Sequence, residues 1–119
     1  MEIPKQIQDK IAQFQEIQNQ LQTIVLQKQQ FSMQIRDIEN ALNELKNFKR
    51  GNIYEAVGPL FLETNKDKCE KKLMAEKETM DTRIKILEKQ EKKLNTKLKE
   101  LSQEIQSTLQ SGSGGIQAG

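Results

Sequence analysis

The stretch Gly51-Asn52-Ile53-Tyr54-Glu55-Ala56-Val57-Gly58-Pro59-Leu60-Phe61-Leu62-Glu63-Thr64 interrupts a chain that otherwise repeats every seven residues. Two short runs rich in branched and aromatic residues flank Gly58-Pro59, a combination that predicts a β-hairpin. Gly58 takes positive φ without a Cβ penalty, and Pro59 has no N–H to offer a ladder. Alternation sets Ile53 and Val57 on one face and Tyr54 and Ala56 on the other; Leu60 and Leu62 likewise oppose Phe61. Both faces are therefore largely apolar. A lone two-stranded hairpin is marginal in water, and its open edges are templates for pairing. Nothing else in the sequence reads as a strand, so other chains must meet these edges. The segment thus predicts an oligomer joined through shared β-structure, with Ile53, Tyr54, Ala56, Val57, Gly58, Pro59, Leu60, Phe61 and Leu62 as its assembly residues. The competing reading is an irregular loop that only connects the flanking elements.

Upstream, a heptad phased on Ile7 gives one seam position as Ile7, Phe14, Leu21, Lys28, Ile35 and Leu42. The other reads Lys10, Ile17, Ile24, Phe31, Ile38 and Leu45, so that ten of the twelve are apolar. Residues between them are mostly Gln, Asn, Glu or Lys. A 3-4 spacing held this long specifies a helix with a narrow seam, hence a coiled coil. Pro4 suits its first turn, where the missing N–H has no intrahelical partner. A helix over 4–48 would be roughly 65 Å long.

Downstream the repeat returns. One seam position holds Leu73, Met80, Leu87, Leu94 and Leu101; the other holds Lys77, Ile84, Glu91, Leu98 and Ile105. Thr64 or Asn65 caps this second helix, with Asp67 in its first turn favouring the positive helix end. The pattern predicts a helix over 65–109, followed by a flexible glycine-serine tail over 110–119. The fold class is mainly α: a long antiparallel two-helix coiled coil with a β-hairpin at the connecting end. Residues 1–119 form a single domain, with the linker and hairpin at 49–64. Heptad layers allow facing residue numbers to add up to about 115 or about 122.

Composition narrows the function. Of 119 residues only 34% are hydrophobic and 4% aromatic, too few for a compact globular core. Without a long apolar run or an apolar stretch near Met1, neither a membrane span nor a signal peptide is expected, and the default is a cytoplasmic protein. There is no His and one Cys, Cys69, which argues against zinc sites and His-based acid–base chemistry. No phosphate-cradling loop is present either: Gly112–Gly115 lacks the Lys-Ser/Thr of a P-loop. The chain reads as no enzyme, with no cofactor, metal or catalytic residue. Net charge is +2. Residues 66–100 carry twelve Lys/Arg but mix in eight Asp/Glu, as on a solvated helix face, so no nucleic-acid partner is expected.

On these residues the chain resembles a prefoldin beta-class subunit of archaeal type, in which one hairpin separates two coiled-coil helices. The segment Ile53–Leu62 is similar to the family's aliphatic-Tyr…Gly-Pro-aliphatic hairpin. The Gln-rich first helix also fits, with eleven Gln from Gln6 to Gln34. The resemblance spans Ile3 to about Leu109. It implies an ATP-independent chaperone that captures unfolded proteins and passes them to a group II chaperonin. It also implies a heterohexamer of two alpha-class and four beta-class subunits, whose hairpins form a β-barrel platform from which the coiled coils hang.

In such a hairpin both chain termini lie away from the β-segment. Ile3, Ile7, Ile11 and Phe14 then face Leu101, Ile105 and Leu109 there, with Ile116 on the tail, and these eight are the candidate client-binding residues. Ile11 lies off both seam positions, so the apolar stripe widens toward the terminus. Ile7, Phe14, Leu101 and Ile105 are equally ordinary seam residues packed on one another, which leaves Ile3, Ile11, Leu109 and Ile116 as the better contacts. Leu26 and Met33 point outward, either toward clients or as scattered surface apolar groups. The rival function is a structural coiled-coil protein that dimerises or tethers partners.

Overall fold

The computed structural model describes residues 3–118, with side chains described over 3–111. Its elements are α1 (Lys5–Asn47), β1 (Ile53–Val57), β2 (Leu60–Thr64) and α2 (Lys66–Ala118). Two long helices with a small antiparallel hairpin between them bear out the expected fold class. The chain divides into two compact units, 1–27 with 87–119, and 28–86.

Local chemistry explains the element ends. The Pro4 carbonyl accepts from the Ile7 and Gln8 amides at 3.0 and 3.1 Å, opening α1. Asn65 caps α2: its Oδ1 accepts from the Lys68 amide at 2.8 Å. The helix then continues through the Ser-Gly segment to Ala118, past Leu109 where the seven-residue pattern stops. Each added residue contributes one backbone hydrogen bond, and Gly and Ser weaken a helix without blocking the bond as Pro does.

In the first unit, the N-terminal half of α1 runs antiparallel to the C-terminal half of α2. Ile7, Ile17, Ile24 and Leu101 are its buried residues. Lys10 Nζ reaches Glu104 Oε2 at 3.4 Å. In the second unit Ile38 is buried, Lys77 Nζ pairs with Glu39 Oε1 at 3.3 Å, and the Arg83 guanidinium sits 5.8 Å from the Phe31 ring centroid. Within each unit the facing residue numbers therefore add up to about 115, the first of the two registers the heptads allow. Every seam position named from the sequence is buried or half-buried in its own unit. No described side chain falls below 2% exposure, because a two-helix seam has no third layer to close it.

The hairpin pairs Ile53 with Thr64, Glu55 with Leu62 and Val57 with Leu60 on one face; Tyr54 with Glu63 and Ala56 with Phe61 make the other. Gly58 has φ +58°. Pro59 holds φ negative, so this two-residue loop has the φ signs of a type II′ turn, whose twist matches that of the strands. Gly51, at φ +114°, turns the chain from α1 into β1, and a Cβ there would lie 3.2 Å from Phe48 Cζ. A Cβ at Gly58 would meet nothing within 4 Å. Gly51→Ala should therefore lower stability by about 2 kcal/mol and Gly58→Ala by about 1 kcal/mol. Urea denaturation of the two variants checks that ordering, and equal losses would refute it.

Candidate functional site

Two surfaces hold the candidate residues, one in each unit. The hairpin belongs to the second. Ile53 is half-covered, whereas Tyr54, Ala56, Val57, Leu60, Phe61 and Leu62 are exposed, Phe61 most of all at 75%. The turn itself, Gly58-Pro59, is also exposed. Among the described residues the sheet has only these two strands, so each strand has one open edge. Those edges and the exposed apolar side chains coincide on ten residues. Water is a poor partner for that combination, and another strand or apolar surface a good one.

Short-range contacts hold the hairpin to its helices. Glu55, on the Ile53 face of β1, forms an ion pair with Lys72 of α2. Lys66 Nζ lies 3.4 Å from both the Lys46 and Phe48 carbonyl oxygens, at the negative end of α1. Asn52 Nδ2 donates to the Tyr54 hydroxyl at 3.3 Å. These contacts leave Phe61 and Leu60 untouched. Spacing along the chain did not reveal the Glu55–Lys72 pair, although a single carboxylate among the apolar residues of β1 asks for a cation.

The first unit holds the chain-terminal candidates, and it sorts them. Ile7 and Leu101 are buried at 3% and 5%; Ile11, Phe14 and Ile105 are half-buried; Ile3 and Leu109 are exposed at 48% and 47%. The side chain of Ile116 lies outside the described residues. Ile3 precedes α1, and its carbonyl accepts from Gln8 Nε2 at 3.0 Å. A register of about 115 brings Leu109 to the same end of the unit as Ile3. Two apolar groups thus remain in water beside a seam that is already packed.

Elsewhere, Leu26 and Met33 are exposed as expected from their phase. Cys69 is half-buried and carries a free thiol. No described helix is long and apolar enough to cross a membrane.

Comparison with known proteins decides the family. A family model described as "Prefoldin subunit" matches residues 8–112. The chain belongs to the prefoldin subunit family. Curated relatives of the beta type match it over almost the full length: prefoldin subunit beta of Thermococcus onnurineus is 41% identical over 113 residues, covering 94% of this chain and 97% of the relative. That of Archaeoglobus fulgidus is 38% identical, covering 95% and 98%. The crystal structure of the prefoldin beta subunit from Thermococcus strain KS-1 superposes with a TM-score of 0.82 at 41% identity, covering 91% of this chain and 96% of that one. The beta-class resemblance read from Ile53–Leu62 is therefore borne out. Prefoldin membership carries a chaperone role with it.

Proposed function

We propose that this prefoldin subunit is an ATP-independent holdase: it assembles through its hairpin with alpha-class and other beta-class subunits and captures nonnative proteins at its chain-terminal end. The observation that carries this reading is the hairpin, whose Leu60, Phe61 and Leu62 stand 59%, 75% and 51% exposed on strands with open edges. A chain that kept to itself would have no use for them. The assembly is a heterohexamer of two alpha and four beta subunits, acting in the cytoplasm and handing clients to a group II chaperonin.

Client capture uses Ile3 and Leu109 as direct contacts, with Ile11, Phe14 and Ile105 available where the end frays and Ile116 on the terminal segment. Ile7 and Leu101 hold the seam beneath them. Fully burying one such side chain is worth about 1.5–3 kcal/mol. Several subunits acting on one client make these weak contacts add, while each still opens readily. Release then needs no nucleotide.

Mixing the purified chain with an alpha-class subunit tests the reading. Native mass spectrometry should show a discrete heterohexamer, and that complex should suppress aggregation of a denatured client without ATP. A stable monomer or parallel homodimer, with no discrete heterohexamer, would instead favour the dimerising or tethering reading.

A further inference from the structure

We infer that the Glu55–Lys72 ion pair is a latch that sets the angle of the β-hairpin on the first turns of α2. Glu55 is the only charged residue on its hairpin face, which otherwise carries Ile53, Val57, Leu60, Leu62 and Thr64. Its carboxylate is not free in water: Oε1 is shielded from solvent, and Lys72 is its ion-pair partner. A carboxylate so placed costs free energy unless a cation meets it, and removing that cation costs more than removing both members. The pair therefore dictates which face of the hairpin turns toward α2.

The connections make such a latch necessary. β2 joins α2 directly through the Asn65 cap, but β1 joins α1 through residues 48–52, including Gly51 at φ +114°. The apolar side chains on the hairpin are mostly exposed and cannot hold its angle by packing. Among the described residues, Lys66 on the α1 carbonyls and Lys72 on β1 bridge from α2 to the incoming side of the hairpin. Of the two, Lys72 acts on the strand itself. Charge pairing here orients a surface whose binding energy is apolar. Both residues are positioning residues, outside the contact surface.

Amide hydrogen exchange of the full-length chain tests the latch directly. Lys72→Met and Glu55→Lys should each accelerate exchange over 53–64 about fivefold, the upper size expected for a half-exposed pair, with α2 protection after residue 80 unchanged. The charge-swapped Glu55→Lys/Lys72→Glu chain should return to within about 1.5-fold of the parent, a rescue that a purely steric role would not produce. Unchanged exchange in the single variants, or a swapped chain no better than the worse single variant, overturns the latch. How the latch presents the hairpin to other subunits rests on the proposed assembly. Exchange in the isolated chain is read without it, so the two ideas fail separately.

Discussion

Replacing Leu60 and Phe61 together by serine should leave the helices intact and weaken assembly with alpha-class chains by about two orders of magnitude. The two residues occupy opposite faces of the hairpin, since Leu60 pairs with Val57 and Phe61 with Ala56. Both stand more than half exposed in the isolated chain, so neither supports the coiled-coil seam. Their removal costs the folded monomer little. In an assembly each would be buried, and an apolar side chain of that size contributes about 1.5–3 kcal/mol when fully covered. Losing most of that at each interface gives the stated factor. The helical circular dichroism should match the parent within error, which separates lost assembly from lost folding. Native mass spectrometry at fixed subunit concentration reads the result, and an undiminished hexamer would end the assembly reading of the hairpin.

Ile3→Ser with Leu109→Ser should have the opposite profile, with assembly retained and client protection reduced at least about tenfold. These two are the exposed members of the terminal group among the described residues, whereas Ile7 and Leu101 beneath them are buried. Serine at Ile3 and Leu109 removes apolar area without opening a cavity, so the thermal transition should stay close to the parent. Serine at Ile7 would instead expose a seam position and lower stability by about 2–4 kcal/mol. Because several copies would grip one client, a small loss per contact multiplies across the assembly. The measurement is light scattering of a denatured client against increasing hexamer. Full protection by the double variant would place client contact elsewhere, and the exposed Leu26 and Met33 would become the next residues to test.

Much of this architecture was legible in the residues. Seam positions from Ile7 to Ile105 follow from the seven-residue period, a local property that any two-helix pairing must respect. The hairpin followed from Gly58-Pro59, where one residue favours positive φ and the next forbids it. Other features were not legible for an equally physical reason. A heptad pattern is unchanged by a slip of seven residues, so apolar spacing alone cannot choose between the two registers. The Lys10–Glu104 pair is specific to the observed register: the alternative sets Lys10 against the Gly112 stretch, which holds no carboxylate. Such a half-exposed pair adds only about 0.2–1 kcal/mol, so it favours one register without making the fold.

Periodicity and the conformational limits of single residues thus foretold the helix–hairpin–helix order, the seam and the turn, but not the helical course of α2 beyond Leu109, where Ser and Gly carry no heptad signal. The register, the grip of Lys72 on Glu55, and the sorting of the terminal group into buried Ile7 and Leu101 and exposed Ile3 and Leu109 came from packing between elements. Those depend on which side chains reach one another across separate elements. Spacing along a chain does not encode that distance.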